Sequence, residues 1–241
     1  MLQHYPFSNN ELSTIGLLVL GAVFVHACFQ LSVSVLTLLS SHTIGRRLPN
    51  TRLMSLTFWY IVGVVASLAL LQIAAIALMR TLMSHDHVLA SWVTLTILPV
   101  VALLVALFYY RRGQGTKLWL PKSAAEYITG RAKKTRSSVE AFALGTTTTL
   151  TELPFAIAPI IVSAYAFQAF PSDWWWRLAL GYGLVVGLPL VFVALYLSSG
   201  HKLSTVQKWR EDAKNFLKWT SAGALLLLTI YIALLQTGAT S

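Results

Sequence analysis

The stretch LGTTTTLTELPF, residues 144–155, lies in the middle of an apolar segment that runs from residue 141 to residue 166. It contains Glu152, the only acidic residue of the chain deep inside a hydrophobic segment. A carboxylate at the centre of a bilayer costs about 2.5–3.5 kcal/mol on insertion scales, so acidic side chains at such positions usually have a function. The alternative is a protonated Glu152 that only bonds to a neighbouring helix. We take Glu152 as the first residue of a candidate functional site.

The composition around this stretch indicates an integral membrane protein. Of the 241 residues, 56% are hydrophobic and only 11% are charged, whereas globular domains contain about 25% charged residues. A helix needs about 20 apolar residues to cross the bilayer core. Six segments have this character, at residues 14–40, 53–79, 88–110, 138–168, 174–199 and 216–235. We therefore predict an all-α fold with six transmembrane helices.

The basic residues predict the orientation of these helices. Sixteen of the 18 Lys and Arg residues follow the first, third or fifth segment, and only Arg80 and Arg177 do not. Cytoplasmic loops of membrane proteins are enriched in Lys and Arg. The distribution predicts an inner-membrane protein with both termini outside and three basic loops lying against anionic lipid. The lipid bilayer, and not nucleic acid, is therefore the partner that explains the net charge of +10.

The longest basic connection divides the chain into two groups of three segments. We predict a first repeat at 1–112, a basic cytoplasmic linker at 113–136 and a second repeat at 137–241. Each group has an odd number of spans, so two related groups would have opposite orientations and form an inverted repeat.

Two prolines follow Glu152 in the fourth segment. Pro154 has no backbone N–H and its ring crowds the carbonyl of Leu150, and Pro159 follows five residues later. We predict that helices one and four are kinked or broken, helix four at Pro154. Broken helices around a site at the membrane midplane recur in secondary transporters.

The first segment carries a second polar cluster, which consists of His26, Cys28 and Gln30. We expect this cluster to face Glu152 across the interface between the repeats. Imidazole, thiolate and carboxylate groups bind Zn²⁺ and similar ions, so His26, Cys28 and Glu152 are candidate ligands of a bound metal cation. Residues 26, 28 and 30 do not share one face of a regular helix, so they converge only if helix one is distorted. Alternatively, Cys28 is a small apolar filler and His26 is a hydrogen-bonded packing residue.

The threonines before Glu152 have two interpretations. Thr148, Thr149 and Thr151 are candidates for the polar lining of a path to Glu152. Their hydroxyl groups can instead bond to the helix carbonyl three or four residues earlier, which hides them from lipid.

Six spans, outside termini and special motifs in segments one and four resemble the lysine-exporter superfamily, in particular its CcdA and DsbD-type electron conductors. Those proteins carry a Pro-Cys motif in the first helix of each repeat. Here Cys28 stands near the first motif, and Glu152 and Pro154 occupy the second. Because Cys28 is the only cysteine, no internal disulfide can form, and the electron-conducting activity does not carry over. The resemblance implies an inverted repeat with a midplane site, and other branches of the superfamily export amino acids or metal cations.

These observations predict a proton-coupled secondary transporter of a small solute or metal cation, and not an enzyme. Glu152 would carry the proton or cation. One alternative is a single-thiol redox relay, in which Cys28 forms mixed disulfides with a partner protein. Another is a non-transporting membrane subunit whose basic loops dock a partner protein. A homodimer is a further expectation.

Overall fold

Seven α-helices make up most of the part of the chain that the structure describes. This computed structural model describes residues 9–30, 50–85, 87–109, 122–199 and 201–236. Within these ranges no β-strand is present, in agreement with the predicted all-α fold. The helices are α1 (Asn9–Gln30), α2 (Asn50–His85), α3 (His87–Leu104), α4 (Lys122–Lys134), α5 (Ser138–Phe167), α6 (Trp175–Ser198) and α7 (Leu203–Gln236). A π-helical segment, Val105–Tyr109, extends α3, and a 3₁₀ turn, Ser172–Trp174, leads into α6.

Among the described residues, five helices are long and apolar enough to cross a membrane. These spans are Leu12–Gln30, Thr51–Ser84, Ser138–Phe167, Ser172–Ser198 and Asn215–Leu235. Where we predicted a third span at 88–110, the structure has a shorter apolar helix, Trp92–Leu107. The first predicted span, 14–40, is described only as far as Gln30. The described residues thus include five potential membrane-spanning helices, and the sixth span stays a prediction.

The sequence supplies a cap where α5 begins. Ser137 Oγ accepts a hydrogen bond from the Glu140 backbone N–H at 3.3 Å. The Glu140 carboxylate accepts in return from the backbone N–H groups of Ser137, at 3.1 Å, and Arg136, at 2.7 Å. This capping box satisfies N–H groups that the first turn of a helix leaves open. It separates α5 from α4, a short basic helix within the linker that we predicted at 113–136.

We predicted that α5 is kinked or broken at Pro154, and the break is absent. One continuous helix extends from Ser138 to Phe167 and includes both Pro154 and Pro159. A proline inside a helix costs about 3 kcal/mol, and the packing of α5 against α1, α2, α3 and α4 offsets this cost. Helix α1 is also continuous, from Asn9 to Gln30. A kink within either continuous helix stays a prediction.

Helix α5 lies at the centre of the bundle and contributes to two hydrophobic clusters. The first cluster joins it to α2, α4 and α6, and includes Tyr60 and Leu68. The second joins it to α1, α3 and α7, and includes Phe29 and Leu225. Because its neighbours cover so much of its surface, α5 is the helix best suited to shield a polar side chain from lipid.

Helices α2 and α5 run parallel and in close contact. The Gln72 amide donates to the Ile160 carbonyl at 3.5 Å, and further along both helices Gln168 donates to the Ile76 carbonyl at 2.9 Å. Near the start of α5, Gly145 lies directly against the backbone of α2. Small residues allow this close approach of helices in membrane proteins.

Helix α1 runs antiparallel to α7 and α5. Thr14, near the start of α1, accepts a hydrogen bond from Tyr231 near the end of α7 at 3.2 Å. Near the other end of α1, Cys28 interacts with Ser221, which lies earlier in α7. Only seven residues separate α5 from α6 and four separate α6 from α7, so each helix reverses the direction of the one before. Helices α7 and α5 therefore have the same direction, and α1 has the opposite one.

Candidate functional site

Glu152 lies buried in the middle of α5, with only 5% of its surface exposed. Gly145, which packs on α2, precedes it by two helical turns. Phe155, whose ring lies 6.4 Å from that of Phe29 in α1, follows it by less than one turn. At 3.6 residues per turn, Glu152 is about 20° from Gly145 and about 60° from Phe155 around the helix. The carboxyl group therefore lies on the sector of α5 between α1 and α2.

Gln30 lies at nearly the same height in the bundle as Glu152. Phe29 and Phe155 are in ring contact, and the two helices run in opposite directions. With a rise of 1.5 Å per residue, Gln30 and Glu152 differ in height by about 3 Å. Gln30 is also buried, with 3% exposure. Gln30 of α1 and the carboxyl group of α5 thus belong to the same layer of the bundle.

His26 is completely buried and faces α6. Its Nδ1 lies 2.8 Å from the Tyr182 hydroxyl, and the two rings are in tilted contact with centroids 5.7 Å apart. Tyr182 also interacts with the hydroxyl group of Ser163 in α5. The Ser163 hydroxyl lies 3.2 Å from Gln72 Oε1 in α2. These four side chains form a buried polar chain that crosses four helices.

The metal site that we predicted from His26, Cys28 and Glu152 is not formed. Among the described residues, no group of three or more His, Cys, Asp and Glu side chains could hold a metal ion. The reason lies in α1: residues two apart are about 200° apart around a regular helix. His26 accordingly contacts Tyr182 of α6, whereas Cys28 turns toward Ser221 of α7.

The threonine hydroxyls before Glu152 bond to their own helix. Thr148 donates to the Leu144 carbonyl at 2.8 Å and Thr149 to the Gly145 carbonyl at 3.1 Å. Thr151 donates to the Thr148 carbonyl at 2.7 Å. This back-bonding was the second of our two interpretations. Only the lone pairs of these hydroxyl oxygens are left for a ligand, so the threonines can accept hydrogen bonds but not donate them.

Comparison with protein-family models, with curated proteins and with solved structures yields no match to this chain. The site therefore has to be interpreted from its own chemistry.

Sequence reasoning missed three residues of the polar chain: Gln72, Ser163 and Tyr182. Gln72 had a detectable signal, because it is the only amide inside its apolar segment, and buried amides often join helices in membranes. Ser163 and Tyr182 had none, because isolated Ser and Tyr residues are common in membrane helices. Only the packing of α1 against α5 and α6 identifies them.

Proposed function

We propose that this protein is a secondary transporter of a small solute or ion, with Glu152 as the group that couples transport to protons. The observation that carries the proposal is a carboxyl group with 5% exposure on the central helix. An ionisable side chain in such a position is costly and is usually kept for function. The burial of Gln30, at nearly the height of Glu152, supports a polar site between α1 and α5.

The proposal includes a 3+3 inverted repeat, and the helix contacts support it. In an inverted repeat α1, α2 and α3 correspond to α5, α6 and α7, so each helix contact should have a counterpart. The counterpart of the α2–α5 contact is α6–α1, and the counterpart of the α3–α5 contact is α7–α1. All four pairs pack together, as do the self-related pairs α1–α5, α2–α6 and α3–α7. One pair of contacts departs from this symmetry: α2 packs against α3, but the corresponding contact between α6 and α7 is weaker. We propose a relationship to the lysine-exporter superfamily on this architecture.

We further propose that both termini lie outside the inner membrane. At one end of the bundle Arg80 lies 5.4 Å from the Trp175 ring, and Arg177 lies within 5.3 Å of the rings of Trp174 and Trp176. Such pairing of aromatic and basic side chains is typical of a membrane interface. At the opposite end, where α5 begins, α4 carries Arg131, Lys133 and Lys134 in its last turn. This contrast supports a basic, cytoplasmic end.

The redox relay is the weaker alternative. A thiol that exchanges disulfides with a partner protein needs an accessible thiolate. Cys28 is buried, with 9% exposure, and interacts with Ser221. No contact of the described residues favours the docking-subunit alternative.

The test is proton flux in proteoliposomes that enclose a pH-sensitive dye. A panel of amino acids and monovalent cations is added outside, and solute-dependent proton movement is recorded. We expect Glu152→Gln to abolish it. The matched control is Glu140→Gln, which changes an exposed carboxyl group of the same helix and should leave flux intact.

A second control is Cys28→Ser, which should also retain flux. Full activity of Glu152→Gln together with loss of activity in Cys28→Ser would overturn the proposal and favour the redox relay.

A further inference from the structure

The two ring nitrogens of His26 have different surroundings. Nδ1 lies 2.8 Å from the Tyr182 hydroxyl. Nε2 is buried and has no hydrogen-bond partner among the described residues. A neutral imidazole carries its proton on only one of these atoms, and the bond made by the other nitrogen decides which one. The tautomer of His26 can therefore be inferred from the direction of the hydrogen bonds beyond Tyr182.

The acceptors at the far end of the polar chain set that direction. Ser163 Oγ lies 3.2 Å from Gln72 Oε1, 2.8 Å from the Pro159 carbonyl and 3.1 Å from the Ile160 carbonyl. All three oxygens can only accept, so the hydroxyl proton of Ser163 points toward them. The Gln72 amide N–H points in turn to the Ile160 carbonyl, at 3.5 Å.

The proton of Tyr182 follows from this arrangement. Ser163 also shares a side-chain hydrogen bond with Tyr182. Because the Ser163 proton goes to the acceptors named above, only a Ser163 lone pair is left for this bond. Tyr182 then donates to Ser163, and its own oxygen accepts from His26 Nδ1–H. If Tyr182 instead donated to His26 Nδ1, the ring proton would lie on Nε2, as a buried N–H without an acceptor among the described residues. Orphaned buried donors are rarer in proteins than under-satisfied acceptors.

We infer that Tyr182 is a positioning residue that holds neutral His26 in its Nδ1–H tautomer, so that Nε2 is a buried hydrogen-bond acceptor for a ligand with an N–H or O–H group. A metal ion is not the ligand that this arrangement favours, because no further His, Cys, Asp or Glu side chains complete a site among the described residues. The tautomer stands independently of the proposed function. The statement that the transported solute supplies the N–H or O–H group rests on the proposed function.

The experiment is ¹⁵N NMR of histidine-labelled, full-length protein in nanodiscs. The chain has six histidines, so the His26 signals are identified by their loss in His26→Gln. We expect wild type to show protonated Nδ1 and unprotonated Nε2. Tyr182→Phe should convert this single state into a mixture of tautomers. Tyr231→Phe removes a tyrosine hydroxyl that bonds to Thr14 instead, and should leave His26 unchanged.

Ser163→Ala is a second variant, which keeps the test decisive if Tyr182→Phe does not fold. Without the Ser163 oxygen, Tyr182 can donate to His26 Nδ1, so the signal should shift toward the Nε2–H tautomer. Protonated Nε2 in wild type, or a His26 signal unaffected by both variants, would overturn the inference.

The ligand class is probed with ammonium chloride, with tetramethylammonium chloride as the control that lacks N–H groups. We expect only ammonium to move the Nε2 resonance. Equal effects of both salts, or no effect of either, would overturn the ligand class while the tautomer result stands on its own. None of these readouts requires transport, so a failure of the proposed function is recognised separately by the flux assay.

Discussion

The contact between α2 and α5 offers the sharpest test of the fold, through the substitution Gly145→Ala. A methyl group on Gly145 would collide with the Tyr60 carbonyl and lie 3.0 Å from the Val64 backbone nitrogen. Both neighbours are backbone atoms, so no side-chain rotation can relieve the collision. The helices have to move apart, and this loosens the sector of α5 that carries Glu152.

The magnitude follows from two opposing effects. Overpacking of a well-packed interface costs about 1–3 kcal/mol, whereas replacing Gly by Ala inside a helix gains about 1 kcal/mol. Gly181→Ala in α6 is the matched control, because nothing lies within 4 Å of the position its methyl group would take. Both variants share the gain in helix propensity. The difference between them isolates the collision, and we expect Gly145→Ala to be about 1–3 kcal/mol less stable than Gly181→Ala.

The assay is reversible unfolding by SDS in mixed micelles, followed by far-UV circular dichroism. A second substitution, Gly63→Ala, should destabilise by a similar mechanism, because its methyl group would collide with the Phe142 carbonyl across the same interface. The double variant should lose less stability than the two single effects combined, because the helices have already separated. Equal stability of Gly145→Ala and Gly181→Ala would refute the close contact of α2 with α5.

Two further predictions concern α5. Thr148→Val should retain transport and change the unfolding free energy by less than about 1 kcal/mol, because the hydroxyl only bonds back to the Leu144 carbonyl; a strong loss of flux would instead identify Thr148 as a ligand. Ser137→Ala should lower stability by about 1 kcal/mol through loss of the cap; the neighbouring Ser138→Ala is the control in the same thermal unfolding measurement, and equal melting temperatures would contradict the capping role.

The helical class and most of the spans could be predicted from the sequence. Hydropathy and helix length are local properties, and a run of apolar residues leaves the backbone few alternatives in lipid. The same local reasoning identified Glu152, because a single carboxyl group in such a run is visible without any tertiary information. It could not decide between a kink and a break at Pro154, since the cost of a proline is local but the packing that offsets it is not.

The partners of the polar residues were decided by the tertiary structure alone. His26 and Tyr182 are 156 positions apart, and no periodicity within one segment relates them. The sequence grouped His26, Cys28 and Glu152 by depth, but depth does not determine which neighbour a helix face meets. Packing turned His26 toward α6 and Cys28 toward α7, and so replaced a metal site by a hydrogen-bonded chain. The sequence by itself determined that a buried carboxyl group exists in a helical bundle, and only the rotation of each helix about its axis decided what surrounds it.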